Sequence, residues 1–341
     1  MLPTRDDVAR RAGVSSATVS YVINNGPRPV AEQTRLRVLQ AIDELGYQPS
    51  AVARSLKTKS TASIGLIVSN IELPFFTRVA RSVQDAAAAL GSIVILANSD
   101  ERPELEADYL QLMSSKRVDG LIIAPTARNT DVLEQLQGRG MPIVTIDRPT
   151  QRANIPFVGI DNRRAAQDAV AYLIAQGHTQ IGMVAGLPDL WPIAERSAGF
   201  RSALLAAGLP IDEGRIAVVQ SHELVQYHEA AQATIDLLRR RPDITALFAT
   251  NADLNMGVLL ALHQLGMRCP VDISVVGFDD LPYFEIGPLS LTTVRQPAYR
   301  MGACAVEILG RIIAGEPPPT APVLLETEFV MRNSVAPPLT S

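Results

Sequence analysis

Short apolar strands alternate with helical segments along most of this chain, and this alternation constrains the fold more than any other feature. Strands that alternate with helices form parallel sheets covered by helices on both faces. About 280 residues carry the pattern, which exceeds one comfortable core, so we predict two doubly wound lobes with a cleft between them. The predicted strands are IGLIVS, IVILAN, GLIIAP, IVTID, VGI, IGMVAG, AVV, ALFAT and SVVGFDD.

Each lobe is expected to be discontinuous in sequence. The first crossing between the lobes is predicted near residues 159–161, while LTTVRQP and the proline-rich EPPPTAP at residues 316–322 have the character of the second and third crossings. The predicted boundaries are about 61–160 and 292–320 for the N-lobe, and about 161–291 and 321–335 for the C-lobe.

Charge is distributed unevenly along the chain. The net charge of the whole chain is −4, but residues 1–60 carry nine Lys and Arg against five Asp and Glu, a net charge of +4. The remaining 22 basic and 30 acidic residues give −8. A small basic segment on an acidic body indicates that the N-terminal segment binds a polyanion, although a solvated helical face is the simpler alternative.

The N-terminal segment predicts three short helices. Thr4 and Asp7 have the spacing of a capping box, and Gly13 can adopt the positive φ that ends a first helix. Ser15 can cap a second helix over residues 16–24. A link of about three residues between two helices is typical of a helix-turn-helix.

A third helix is predicted over residues 31–45. Its apolar positions recur at helical spacing and can close a small three-helix core: Val38, Ala41, Ile42 and Leu45. Gly46 follows and can end the helix. Ala31 lies where a capping side chain is usual and supplies none, which should destabilise this helix by about 1 kcal/mol.

The chain resembles the lactose/galactose-repressor family of bacterial transcription regulators. The resemblance runs through the segments DVARRAGVSSATVSYVINN, ELGYQP, SAVARSLKTKSTASIGLIV, VDGLII, GHTQIGMVAG, AGF at residues 198–200, VVGFDD and LTTVRQP, in the family's order. It implies an N-terminal all-α helix-turn-helix head over residues 1–48, a hinge helix and linker over 49–60, and a two-lobed body similar to periplasmic binding proteins over 61–341.

The resemblance also implies what the chain does. It predicts a homodimeric transcription regulator, a repressor, that binds a palindromic DNA operator through the head and a small-molecule effector in the cleft. Effector binding in this family changes lobe closure, and thereby how closely the two hinges approach. Inducer and corepressor versions use the same parts, so the direction of the response stays open.

The second helix of a helix-turn-helix enters the major groove with its first turn. We therefore expect Ser16, Ala17 and Tyr21 near base edges, where family members often carry larger polar residues and then Arg or His. Other polar residues match the family's phosphate contacts, which fix register without reading sequence: Thr4, Ser15, Thr18, Ser20, Asn24, Thr34 and Tyr47. Helix capping is the alternative role for some of them, Ser15 in particular.

Residues 49–57 predict a short hinge helix that is too short to be stable alone in water. By resemblance, two such helices from a dimer enter the minor groove, where Leu56 wedges between base pairs and kinks the duplex. Arg54 and Lys57 would then contact phosphates. The alternative for Leu56 is a core position within a linker.

Residues directly after each strand are the candidate ligand contacts, because ligands of doubly wound folds bind beyond the carboxyl ends of the strands. Arg196 and Asp279 match the family's effector anchors, and a guanidinium with a carboxylate suits a sugar-like molecule. The full set is Phe75, Phe76, Asp147, Trp191, Arg196, Asn251, Asp253 and Asp279. The alternatives are a core position for Phe75, an Arg196–Asp253 ion pair, and a loop plug for Trp191.

Two features of the sequence favour a carbohydrate effector over a purine. Trp191 can stack on the apolar face of a sugar ring. Leu190 and Pro192 flank it where purine-responsive relatives would present polar residues.

Motifs of enzymes and metal sites do not occur in the sequence. It has no G-x-G-x-x-G after the first strand, no phosphate-binding loop and no G-x-S-x-G elbow, while its four histidines and its two cysteines lack ligand spacing. We therefore expect no enzymatic activity, no cofactor and no metal. A sugar-processing enzyme and an exported solute-binding protein on the same scaffold are the competing hypotheses.

The location is expected to be cytoplasmic. The N-terminus is charged within its first seven residues and lacks the apolar stretch of a secretory signal. Apolar runs stay shorter than the roughly 18–20 residues that span a bilayer, so no membrane partner is expected.

Overall fold

The computed structural model of the chain describes residues 3–24, 29–48, 60–150, 154–220, 227–286 and 290–339. The chain divides into two compact units, Met1–Thr61 and Ala62–Ser341. Of the residues expected to contact DNA, Arg54, Leu56 and Lys57 lie outside the described residues.

The first unit is helical, as its sequence predicts. Its helices are α1 (Arg5–Ala12), α2 (Ser16–Asn24) and α3 (Glu32–Leu45). Thr4 caps α1: its hydroxyl accepts from the Asp7 N–H at 3.3 Å, and the Asp7 carboxylate accepts from the Thr4 N–H at 2.9 Å. Gly13 ends the helix with φ +66°. The predicted capping box is thus confirmed.

Small apolar residues form the core of the first unit. Val8, Val19 and Val38 are fully buried, one from each helix, and the short side chains of the remaining core positions let the helices approach closely. The third helix begins at Glu32, one residue later than predicted. Ala31 has extended backbone at the N-cap position, and no side chain caps the helix.

The second unit alternates strands and helices as predicted. Its first half contains β1 (Ser63–Val68), α4 (Pro74–Ala89), β2 (Ile93–Asn98), α5 (Pro103–Lys116), β3 (Gly120–Ile123), the 3₁₀ turn Ala127–Asn129, α6 (Thr130–Gly138), β4 (Ile143–Ile146) and β5 (Phe157–Gly159). No described helix is long and apolar enough to cross a membrane.

The remaining elements follow in the same alternation. They are α7 (Asn162–Ala175), β6 (Ile181–Ala185), α8 (Trp191–Ala206), the 3₁₀ turn Glu213–Arg215, β7 (Ile216–Val218), α9 (Tyr227–Arg240), β8 (Ala246–Ala249), α10 (Ala252–Leu265), β9 (Ser274–Phe278), the 3₁₀ turn Pro282–Glu285, β10 (Thr292–Arg295), α11 (Ala298–Ile313), β11 (Val323–Leu324) and β12 (Glu328–Val330).

The strands form two sheets of the same topology. The first sheet has the order β2-β1-β3-β4-β5-β11, and the second has the order β7-β6-β8-β9-β10-β12. Both are doubly wound, with the order reversing between the first and third strands of each lobe. The pairings are parallel except that β12 runs antiparallel to β10 at the edge of the second sheet. The predicted pair of parallel-sheet lobes is confirmed, with that one edge strand as the exception.

Two of the predicted crossings between the lobes lie later in the chain than expected. β10 pairs with β9 and belongs to the second sheet, so the crossing follows Arg295 and does not precede residue 292. β11 pairs with β5 in the first sheet, so the third crossing follows Leu324. The prolines of EPPPTAP instead connect α11 to β11 within one lobe. The predicted boundaries 292–320 and 321–335 are corrected accordingly.

Close packing between α7 and α8 positions a charged side chain of the site. Gly199 of α8 lies against α7 so tightly that a Cβ there would come within 2.2 Å of the Arg163 carbonyl oxygen. Only glycine permits this approach. It brings Arg196, one turn earlier on α8, against Asn162 at the start of α7.

Candidate functional site

A cleft of about 1320 Å³ lies at the carboxyl ends of the strands in the second unit. Its walls come from both lobes, from the residues that follow β1, β3 and β4 and from those that follow β6, β8, β9 and β10. Ligands of doubly wound sheets bind where the strand order reverses, which is the position of this cleft. Ligand pockets commonly measure about 300–1,000 Å³, so a small ligand and several waters fit here together.

Backbone strain is concentrated in the cleft. Four acidic residues along its wall have left-handed backbone: Asp100 (φ +50°), Glu101 (φ +54°), Asp147 (φ +63°) and Asp279 (φ +72°). Such conformations are uncommon for residues other than glycine and cluster at functional sites. Asp147 follows β4 and Asp279 follows β9, which are equivalent strands of the two lobes, so the two carboxylates occupy repeated positions.

Arg196 is buried at the bottom of the second lobe's half of the cleft. Its Nε donates to Asn162 Oδ1 at 2.8 Å, and its Nη1 donates to the Thr250 carbonyl oxygen at 2.7 Å. Its guanidinium lies 3.7 Å from the centre of the Phe278 ring, and Nη1 lies 3.8 Å from Asp279 Oδ2. Burial lowers the pKa of Arg196, against the charges of nearby carboxylates. The side chain is therefore held rigidly by groups that leave part of its fork facing the cleft.

Asp279 is oriented by Gln296, which sequence reasoning missed. Gln296 Nε2 donates to Asp279 Oδ1 at 2.6 Å, so Oδ2 faces Arg196. The signal was available, because Gln296 directly follows β10. The neighbouring Asp280 instead binds Arg295 and Arg332.

The first lobe contributes a second charged cluster. Asp147 is buried after β4, and burial raises the pKa of its carboxyl. Arg148 is also buried; its Nε donates to Asp147 Oδ2 at 3.3 Å, and its two terminal nitrogens donate to Glu101. Among the described residues, each lobe thus contributes one buried guanidinium and at least one carboxylate to the cleft. Glu101 lies 47 residues from its partner, and no sequence pattern pointed to it.

The predicted aromatic contacts divide into wall and core. Trp191, half-buried at the start of α8, meets Phe157 of the first lobe edge to face, with ring centres 5.8 Å apart. Phe75 is half-buried at the cleft. Phe76 is 3% exposed and packs in the hydrophobic core, with its ring centre 4.9 Å from that of Phe75. Phe76 also borders the cleft, so its contact with a ligand stays a prediction.

Asn251 and Asp253 lie at the start of α10. Asn251 is the N-cap, and its Oδ1 accepts from the Leu254 N–H at 2.9 Å. Asp253 is half-buried in the first turn, and both residues line the cleft. Asn251 therefore caps α10, a role that the sequence analysis did not assign, in addition to lining the cleft.

The proposed reading residues of the head lie on the first turns of α2. Ala17 is exposed, while Ser16 and Tyr21 are half-exposed. Ser16 Oγ donates to Asp6 Oδ1 at 2.5 Å, a contact that the sequence did not suggest. The face of α2 thus offers a hydroxyl, a methyl group, a phenol and an adjacent carboxylate.

The predicted phosphate contacts of the head differ in burial and in their hydrogen-bond partners. Ser15 caps α2, accepting from the Thr18 N–H at 3.2 Å, and Thr4 caps α1, so the capping alternative holds for both in the free protein. Thr34 accepts from Arg37 at 3.4 Å. The rest are Ser20, which is half-buried, Tyr47, which packs on the core of the head, and Asn24, which ends α2 with its side chain outside the described part of the chain.

Two family profiles together match most of the chain. Residues 4–50 match bacterial regulatory proteins of the lacI family. Residues 61–319 match the periplasmic binding proteins and sugar binding domain of the LacI family. The two matches correspond to the two units of the structure.

Curated relatives match over nearly their full length. The ribose operon repressor of Halalkalibacterium halodurans is 37% identical, and the match covers 98% of this chain and 97% of the relative. The transcriptional repressor PurR of Vibrio parahaemolyticus is 35% identical, over 98% of this chain and 99% of the relative. Both carry the name of a repressor and neither that of an enzyme.

A solved structure shows the same fold across both units. The lac repressor dimer, bound to operator and the anti-inducer ONPF, is 26% identical and aligns with a TM-score of 0.87. The alignment covers 98% of this chain and all of that one.

Proposed function

The chain belongs to the lacI family of bacterial regulatory proteins, and from this premise we propose a repressor whose affinity for its operator is controlled by a carbohydrate bound in the cleft. The observation that carries the proposal is the pairing of Arg196 with Asp279 at the bottom of that cleft. A forked donor beside a carboxylate can hold adjacent hydroxyls of one ring.

The head supplies the DNA contacts in this proposal. The exposure of Ala17 and the partial exposure of Ser16 and Tyr21 on α2 support their contact with base edges. Asp6 beside Ser16 adds an acceptor, which suits the amino group of cytosine or adenine. Capping residues such as Ser15 can contact phosphate when DNA is present, and Leu56 with its basic neighbours Arg54 and Lys57 is assigned to the hinge.

A sugar fits the cleft better than a purine. Relatives named for ribose and for purine repression are almost equally similar to this chain, so the identities do not decide. The local chemistry does: each lobe offers a carboxylate and a guanidinium, while Trp191 lies between Leu190 and Pro192. A flat apolar face beside hydroxyl-binding charges is the pattern of a carbohydrate site.

A second copy of the chain is the proposed partner of the first lobe's edge. β2 lies at the edge of the first sheet, where Leu90, Ile93 and Leu96 are 59%, 67% and 46% exposed. An exposed edge strand with apolar side chains is normally covered by a partner. The related lac repressor is a dimer on its operator, and a homodimer here would place two heads on a palindrome. Because the operator is DNA, we place the protein in the cytoplasm.

A ligand panel tests the proposed function. Thermal denaturation of the full chain is measured with pentoses, hexoses, disaccharides and purine bases, since a ligand at 100 times its Kd stabilises the folded state by about 2.7 kcal/mol. We expect stabilisation by a sugar, and loss of that stabilisation in Arg196→Ala. Stabilisation by a purine alone would contradict the carbohydrate proposal while leaving the regulator intact.

A further inference from the structure

Glu101 covers the only buried guanidinium of the first lobe among the described residues that line the cleft. Arg148 is 8% exposed, and Glu101 binds it in a fork-to-fork pair. Nη1 donates to Glu101 Oε2 at 2.7 Å, and Nη2 donates to Glu101 Oε1 at 2.5 Å. Such bidentate pairs have the geometry with which arginine otherwise binds phosphates and carboxylates of ligands.

Two further N–H groups of Arg148 are also engaged. Nε donates to Asp147 Oδ2 at 3.3 Å, and Nη2 also lies 3.4 Å from Ser69 Oγ. Two carboxylates therefore surround one guanidinium. An anionic ligand entering from the cleft would meet a cation that is already neutralised.

The fold holds Glu101 in this position with an unfavourable backbone conformation. Glu101 and its neighbour Asp100 both have left-handed backbone directly after β2, which is unfavourable for non-glycine residues. Burial favours the neutral carboxyl, but the charge and hydrogen bonds of Arg148 outweigh it and hold the pKa of Glu101 below its usual value. Glu101 is thus ionised when it meets the guanidinium.

The second lobe offers no substitute for the neutralised cation. Arg196 donates to Asn162 and to the Thr250 carbonyl, and its Nη1 lies 3.8 Å from Asp279 Oδ2, so a carboxylate already stands beside this guanidinium too. The carboxylates of Asp147 and Asp279 would repel a phosphate at either side of the ring. Three exposed arginines, Arg78, Arg102 and Arg128, also line the cleft, but nine acidic residues stand against five arginines in the whole described lining, and this balance favours an uncharged ligand.

We propose that Glu101 determines specificity by neutralising Arg148, so that the cleft accepts an uncharged sugar and rejects the phosphorylated form of the same sugar. This inference rests on the proposed carbohydrate function. It assigns the discrimination to one side chain that does not need to contact the sugar itself.

The test compares ribose, ribose 5-phosphate and inorganic phosphate on the full chain by calorimetry and thermal denaturation. The parent should bind ribose at least tenfold more tightly than ribose 5-phosphate. Glu101→Gln removes the charge, keeps the size, and should bind ribose 5-phosphate at least tenfold more tightly than the parent does. Inorganic phosphate should raise the melting temperature of Glu101→Gln and not that of the parent.

Two variants control for charge and for folding. Glu104→Gln removes the same charge from an exposed position at the rim of the cleft and should leave the preference between the two ligands unchanged. Glu101→Asp keeps the charge that the buried guanidinium needs, but the shorter side chain cannot reach both terminal nitrogens. It should give an intermediate gain in phosphate binding, and it serves if Glu101→Gln does not fold.

The outcomes separate this inference from the proposed function. A parent that binds ribose 5-phosphate as tightly as ribose, or a folded Glu101→Gln that gains no affinity for either phosphate probe, overturns the role of Glu101. A parent that binds no sugar, with Glu101→Gln still gaining phosphate binding, overturns the carbohydrate proposal and leaves the role of Glu101 standing.

Discussion

Arg196 Nη1 lies 3.8 Å from Asp279 Oδ2, and each of these side chains is held from behind by an amide at a crossing between the lobes. Asn162, at the first crossing, accepts from Arg196, and Gln296, at the second, donates to Asp279. Asn162 Nδ2 and Gln296 Oε1 are buried without a partner. A ligand that contacts the two anchors is therefore one residue away from the segments that connect the lobes.

Loss of the buried Arg196 guanidinium should abolish ligand binding. Arg196→Ala removes the donor that faces the cleft and leaves Asp279 without its nearest cation, so we expect at least 100-fold weaker binding of the sugar identified in the panel, measured by calorimetry. Arg164→Ala, on the exposed surface of α7, is the matched control and should bind as the parent does. Parent-like affinity in Arg196→Ala would show that the anchor is wrongly assigned.

The single tryptophan should report ligand binding. Trp191 is the only tryptophan of the chain and meets Phe157 of the first lobe, with ring planes at 84°. A ligand that stacks on the indole or changes lobe closure must alter its surroundings, so the emission should shift with a midpoint at the calorimetric Kd. Trp191→Phe should bind several-fold more weakly and give no signal. Saturating ligand without any emission change would place the ligand away from Trp191.

Asp147 should limit stability at neutral pH. Burial raises the pKa of Asp147, so the folded protein holds that proton more tightly than the unfolded chain does. Stability contributed by such a group is lost as pH rises from the ordinary aspartate range through the raised pKa. Asp147→Asn should therefore melt at a higher temperature than the parent at pH 7, with the difference shrinking toward pH 4. An equal difference in melting temperature at pH 7 and pH 4 would show that a raised pKa of Asp147 does not cause it.

The uncapped third helix of the head offers a stabilising substitution. Ala31 occupies the N-cap of α3 without a side-chain hydrogen bond. Ala31→Ser supplies an acceptor and should stabilise the head by about 1 kcal/mol, seen as slower hydrogen exchange of α3 amides in the full chain. Ala31→Val has no acceptor and should not slow the exchange. Equal exchange rates in the serine variant and the parent would show that the serine hydroxyl does not cap α3.

The hinge should matter to DNA and not to the effector. Leu56 lies outside the described residues, and its proposed wedge rests on the family's hinge. Leu56→Ala should weaken operator binding by roughly tenfold or more, because the contacts made with kinked DNA are lost. Its affinity for the sugar should stay that of the parent. Full operator affinity in this variant would refute the wedge.

Local patterns in the sequence predict the elements well. The capping box of Thr4 and the glycine at residue 13 fixed the first helix, and each buried strand appeared as an apolar run. The crossings were predicted less well. Proline in EPPPTAP indicates the end of a helix but not the sheet to which the next strand adds, because strand pairing depends on residues distant in sequence.

Sequence reasoning can name the cleft residues that directly follow a strand. It misses a residue whose role depends on contact with another residue far away in the chain. Asp147 and Asp279 could be named from their positions after predicted strands, and Arg196 from the resemblance to the family. Glu101 could not be named from the sequence. Its role depends on a guanidinium 47 residues away and on left-handed backbone, which the residue type does not predict.

The central claim is that occupation of the cleft governs the binding of DNA. Fluorescence anisotropy tests it with duplexes that the full chain selects from a random library, titrated with and without the sugar found in the panel. The account predicts tight, salt-sensitive binding to a palindrome and a 5- to 150-fold change in its affinity with sugar, absent in Arg196→Ala. Equal binding to selected and random duplexes, or an affinity that saturating sugar does not change, would contradict it.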